Sequence, residues 1–197
     1  MLLKAGPLRR QSSVYAWMVK LAEAYPADMG VFSPALLNLI RLDPGQAMYL
    51  PAGQLHAYLD GVGVELMANS DNVLRGGLTP KHMDVPELLR IVRFSETTIK
   101  TLEAMPSGAV ESFYDCPADE FALSIICTAE GRSYVSPGIR SVEILLCTGG
   151  RGSIEADSQK TLEIAKGDSL LVPAALGRYT IQGHVTIYKA AVPLSGQ

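Results

Sequence analysis

The sequence is poor in the groups that build metal and disulfide frameworks: 197 residues include three cysteines and three histidines. Cys116, Cys127 and Cys147 are odd in number and too far apart for a Cys-x-x-Cys pair, which argues against a zinc knuckle or a disulfide scaffold and for a reducing compartment. No run approaches the ~20 apolar residues that span a bilayer. The opening "MLLKAGPLRR" lacks the apolar stretch and small-residue cleavage site of a signal peptide, so the expected location is cytoplasmic. Basic clusters are missing too. A net charge of -3 with 19% charged residues gives no footprint for nucleic acid or a membrane surface. With 48% hydrophobic residues the chain reads as globular, its partner a small molecule or another protein.

What is present divides along the chain. In "SSVYAWMVKLAEAYP", Val14, Trp17, Met18 and Leu21 recur at helical spacing behind a serine placed to cap, and Pro26 ends the pattern. From Leu36 short β-type runs follow ("LLNLIRL", "AMYLPA", "VGVELM"), separated by the turn signals "DPG", "PAG" and "DGVG". "DVPELLRIVRF" signals a second helix, with Asp84 as N-cap, Pro86 in the first turn and Glu87 as capping-box partner. The stretch from Phe94 to Glu120 is polar and irregular, a connection with room for an edge strand or two. Beyond it "FALSIIC", "VEILLC", "GSIEA", "SLLVPA", "YTIQG" and "VTIYKAAV" are short and β-rich. These patterns predict a mainly β protein with a few helices.

The two halves echo each other. Gly45-x5-Pro51-x-Gly53-x2-His56 recurs with identical spacing as Gly167-x5-Pro173-x-Ala175-x2-Arg178. Two copies of one all-β unit would be jelly-roll halves. The first copy resembles the second sequence motif of the cupin superfamily, in which Gly and Pro-x-Gly shape a turn that aims the histidine into the barrel mouth. A hydrogen-bonded core histidine has the same pattern. His82 and His184 stand outside any such spacing and read as surface or packing residues.

A longer run is more specific. "HAYLDGVGVELMANSDNVLRGGLTPKHMDVPELL", His56 to Leu89, resembles the signature region of type I mannose-6-phosphate isomerase, and "LAEAYPADMGVFSPALLNLIRLDPGQAMYLPAG" resembles the segment preceding it in that family. The resemblance implies a cupin-like jelly roll followed by a second, metal-free jelly-roll domain. It places residues 1–94 in the C-terminal part of the catalytic region, 95–119 in a linker and 120–197 in the second jelly roll. It implies one zinc ion with His56 as a ligand, and Arg75 as an active-site residue. Asp71, Glu65, Lys81 and Tyr58 fall in the same motif: Asp71 and Glu65 are expected beside Arg75 in catalysis, Lys81 and Tyr58 in substrate binding. The family's other ligands, a Gln-x-His pair and a Glu, are expected upstream of this chain, since no Gln-x-His occurs in it. The implied reaction interconverts mannose 6-phosphate and fructose 6-phosphate. As a portion lacking those ligands, the isolated chain is expected to be weak or inactive.

The chemistry suits the residue types. Moving a carbonyl between C1 and C2 passes through an enediolate, which a zinc ion stabilises as a Lewis acid. Arg75 offers an always-charged fork for a phosphate or enediolate oxygen beside the side-chain-free Gly76 and Gly77. On spacing alone, a structural Arg75–Asp71 ion pair is the alternative. Glu65, if it shares an inward strand face with His56, is an acid/base or an orienter of the ligand. Tyr58, two residues from His56, is a pocket residue or a rim aromatic. Arg178 would put a cation in the second copy's ligand position. Two rival functions remain: a non-catalytic cupin-like module binding sugar phosphates through Arg75 and Lys81, and a half-scaffold completed by an N-terminal partner.

Overall fold

The computed structural model describes residues 12–70, 73–156 and 160–194, and the chain divides into two compact units. The first comprises residues 1–43, 48–60 and 70–100, the second residues 44–47, 61–69 and 101–197.

In the first unit, helix α1 (Ser13–Ala24) forms where the apolar spacing predicts it, burying Met18 and Leu21. Ser12 occupies the N-cap in an extended conformation, but its side chain makes no capping bond. A 3-10 turn (Met29–Phe32) and the single-turn helix α2 (Ser33–Leu36) follow, adding the buried Val31 and Pro34. Helix α3 (Val85–Ile91) starts as expected: the Glu87 amide donates to Asp84 Oδ1 at 3.0 Å, and Pro86 lies in the first turn. The reciprocal half of the capping box is replaced, because Glu87 turns its carboxylate to Arg90 Nε at 2.8 Å.

The three β-type runs of the first half depart from expectation. Among the described residues they supply one strand, β1, of two residues (Ala47–Met48); residues 37–42 and 62–67 contain none. Strand propensity describes how a side chain fits a pleated, half-buried surface, and it cannot supply ladder hydrogen bonds where no neighbouring strand lies alongside. Leu37, Leu42, Val62 and Met67 are accordingly exposed.

The regular secondary structure of the second unit is almost all strand. Strands β2 (Thr101–Leu102), β3 (Met105–Pro106) and β4 (Glu111–Phe113) fall in the irregular connection, which thus holds short strands. Then come β5 (Ala122–Cys127), β6 (Tyr134–Val135), β7 (Glu143–Ala156), β8 (Leu162–Ala165), β9 (Ser169–Val172) and β10 (Tyr179–Ala191). Two pairs of runs that read separately, "VEILLC" with "GSIEA" and "YTIQG" with "VTIYKAAV", are the continuous strands β7 and β10, paired antiparallel along their length. Each has a different outer neighbour at its two ends. β7 pairs β9 through residues 143–146 and β8 through 151–154, while β10 pairs β5 through 186–191 and β6 through 180–181. This is a ribbon folded over itself, the jelly-roll solution to sheet edges. The fold requires glycine at its bend: Gly150 (φ +78°) packs so tightly that a Cβ there would overlap the carbonyl oxygen of His184. Ile126, Leu145, Ile154, Ile164, Ile181, Val185 and Ile187 fill the interior.

The three cysteines are free thiols. No helix among the described residues is long and apolar enough to cross a membrane.

Candidate functional site

The echo between the halves is structural as well as written. Gly45 (φ +89°) precedes β1 and Gly167 (φ +102°) precedes β9, both in the positive-φ conformation of a tight turn. After the strand, Pro51 leads into a turn in which Gly53 has φ +84°, and Pro173 leads into a 3-10 turn (Ala174–Leu176).

His56 follows the first of these turns. Its ring is exposed, with Nδ1 3.1 Å from the carbonyl oxygen of Gln54. A carbonyl can only accept, so this bond calls for the proton on Nδ1 and leaves Nε2 of a neutral ring as a free lone pair. That is the tautomer a histidine ligand uses when its other nitrogen is fixed by a backbone oxygen. Tyr58 stacks edge-on against the imidazole, ring centroids 6.0 Å apart, so the two-residue spacing does bring these side chains together. Tyr58 is otherwise largely exposed.

Arg75 is exposed and has no ion-pair partner among the described residues; Asp71 lies outside them. Arg75 lies just before a bend at residues 77–80. Gly77 has φ +131° and Leu78, a branched residue, has φ +54°, a left-handed conformation that costs energy unless it is held. The holder is Asp28, which the sequence pattern did not single out: its carboxylate accepts from the Gly30 amide at 2.7 Å and from the Leu78 amide at 2.8 Å. The only sequence signal for it was an Asp in an "AD-x-G" turn ahead of a helix. At Gly76 a Cβ would lie 2.5 Å from Leu55 Cδ2, so the end of that exposed side chain would have to shift to admit one. Lys81 is exposed, its amide donating to Thr79 Oγ1.

Glu65 belongs to a segment of the second unit, is exposed and is not in a strand. The inward strand face expected for it is therefore not formed. Among the described residues no group of three or more His, Cys, Asp or Glu side chains is arranged to hold a metal ion. His56 suits the role of one ligand; the described residues do not supply a full set.

In the second unit Arg178 is exposed, its guanidinium lying over Gly138, so it puts no cation inside the barrel. Among the described residues the interior cations are Arg140 and Lys189. Sequence reasoning missed both, because a lone cationic side chain reads as solvated.

Comparison with known proteins follows the same lines. Residues 118–192 match the family described as mannose-6-phosphate isomerase, cupin domain. Over 184 residues the chain is 39% identical to a mannose-6-phosphate isomerase of Escherichia coli K12, an alignment covering 93% of this chain and 46% of that protein. It is 36% identical over 182 residues to mannose-6-phosphate isomerase 2 of Arabidopsis thaliana, covering 89% and 40%. A mannose 6-phosphate isomerase from Salmonella typhimurium, solved with its substrate fructose 6-phosphate and zinc, superposes with a TM-score of 0.82 at 35% identity, over 98% of this chain and 49% of that one. The chain spans about half the length of the curated relatives it matches.

Proposed function

We propose, from the premise that this chain is a relative of the mannose-6-phosphate isomerases and shares about half their length, that it forms part of a zinc-dependent aldose–ketose isomerase. The reaction interconverts mannose 6-phosphate and fructose 6-phosphate in the cytoplasm. The observation that carries this reading is His56, whose ring is oriented through Nδ1 with Nε2 left free, at the head of the motif containing Arg75.

Zinc, when bound, supplies Lewis-acid stabilisation of the enediolate oxygens. In this chain His56 contributes one ligand nitrogen, and the remaining ligands come from residues outside it. Arg75, just before the bend anchored by Asp28, binds a phosphate or enediolate oxygen through its planar fork. Lys81 adds a second positive charge for the phosphate, and Tyr58 supports the imidazole and borders the substrate. Glu65 and Asp71 are the carboxylates assigned to handling protons and orienting Arg75.

One further observation favours the scaffold reading: β-type runs between residues 36 and 67 form almost no ladder and leave apolar side chains exposed. A complementing N-terminal half would supply both the missing strands and the missing ligands.

The test is zinc content together with a coupled assay for fructose 6-phosphate, on the purified chain and on its mixture with the N-terminal half of a full-length relative. The chain alone is expected to hold no stoichiometric zinc and to show no turnover. The mixture is expected to hold one zinc and to turn over, and Arg75→Ala in the mixture to lower kcat by roughly 10²–10³-fold with zinc retained. Stoichiometric zinc and turnover by the chain alone would overturn the assignment of the missing ligands. Binding of substrate without metal or turnover in either sample would favour a sugar-phosphate-binding module.

A further inference from the structure

Inside the second unit, the inward side of β10 runs Ile181, Val185, Ile187 and then Lys189. A lysine thus occupies a position that the strand's alternation assigns to an apolar side chain, with its side chain 11% exposed. Its ammonium is surrounded by oxygens: Nζ lies 2.6 Å from Glu111 Oε1 and 3.7 Å from Glu143 Oε1, and donates to Tyr134 OH at 3.0 Å. These oxygens come from β4, β7 and β6, so one cation on β10 ties four strands together.

The oxygens are themselves fixed. Ser124 Oγ donates to Glu111 Oε1 at 2.7 Å. Tyr179 OH donates to Glu143 Oε2 at 2.9 Å, and Arg140 Nη1 approaches the same oxygen at 3.5 Å. Arg140 is held in turn by the Gly177 carbonyl at 2.9 Å. Two carboxylates thus balance two cations in an interior where an unbalanced charge would be costly.

We infer that Lys189 is the resident cation of an oxygen-lined site within the second unit, its ammonium standing where a metal ion would otherwise cross-link the strands. Two carboxylates and a phenol are hard oxygen ligands of the kind that hold hard cations. The rival role, a nucleophilic lysine, requires a neutral amine. Burial does disfavour the charge, but the bonds from Glu111 and Tyr134 outweigh it and hold the group above its ordinary value. The ammonium is therefore a structural charge that joins the strands around it.

Lys189→Ala tests the inference in the full chain, with terbium(III) as an oxygen-seeking probe excited through the neighbouring tyrosines. The wild-type chain is expected to give no sensitised emission and a Tm indifferent to the ion. Lys189→Ala is expected to melt on the order of 10 °C lower, to recover stability with terbium and to emit at one site per chain. Adding Glu143→Gln is expected to abolish both recovery and emission. A Lys189→Ala chain that melts like wild type, or that stays destabilised or unfolded with terbium present, overturns the inference. Lys189→Met, which keeps the stem and fills the site without charge, is expected to be destabilised and unresponsive to the ion; wild-type stability in that variant overturns it as well.

Discussion

Residues 37–70 and residues 122–191 are written in the same vocabulary of short apolar runs and Gly/Pro turns, and they fold differently. The later stretch is built around long paired strands, β7 and β10 lying side by side from Glu143 opposite Ala191 to Ala156 opposite Tyr179. The earlier one forms a single two-residue strand and exposes Leu37, Leu42, Val62 and Met67. A run of β-favouring residues specifies a strand only when a second strand completes its hydrogen bonds, so the difference lies in the supply of partners rather than in local preference.

The largest expected effect contrasts the two stretches directly. Ile187, fully buried in the second unit, should cost about 2–5 kcal/mol when changed to Ala, whereas Leu37→Ala should change stability by about 0.5 kcal/mol or less. Urea unfolding of the two variants measures this, and equal losses would erase the distinction.

Alkaline titration sharpens it next. Burial raises the Tyr134 and Tyr179 hydroxyls above the ordinary phenol value of 10.0, and Lys189 is held above its ordinary 10.5. Below about pH 10 the folded and unfolded chains bind these protons equally, and the stabilisation is fully present. Above it the unfolded chain releases them first, so stability should fall from about pH 10 upward, with the loss centred in the second unit. Circular dichroism of the β signal against pH follows this; a signal and Tm unchanged well above about pH 11 would contradict it.

Smaller effects probe the first unit's own supports. Asp28→Ala removes the acceptor of two backbone amides and releases Leu78 from its left-handed conformation, an expected loss of about 1–3 kcal/mol by urea unfolding. Asp28→Asn, which keeps one acceptor oxygen, should lose less. Asp84→Ala removes the cap of α3 and should cost about 1 kcal/mol, read as lower helicity in the same experiment.

Much of this architecture was legible in the sequence. Helices α1 and α3 were readable because their signals are local: a 3.6-residue apolar period in one, and an Asp-x-Pro-Glu start in the other. The mainly β character and the tight turns at Gly45 and Gly167 were legible for the same reason. The continuity of β7 and β10 was not, because glycines that read as strand ends serve there as bends within one strand. Asp28 and the Lys189 cluster escaped because their partners lie far away in sequence: 50 residues separate Asp28 from Leu78, and 55 separate Lys189 from Tyr134. His56 and Arg75 were proposed through a motif, and the structure adds local detail that a motif cannot: which nitrogen of His56 is bonded and what holds the bend that follows Arg75.

Hydrogen exchange read peptide by peptide, on the chain alone and mixed with the N-terminal half of a full-length relative, tests most directly whether the early stretch waits for partner strands. Alone, the amides of residues 37–70 should exchange rapidly while those of β5, β7 and β10 stay protected, and the mixture should slow residues 37–70 without altering β7 and β10. Strong protection of residues 37–70 in the chain alone, or no gain on mixing, would contradict the view that these runs lack only their partners.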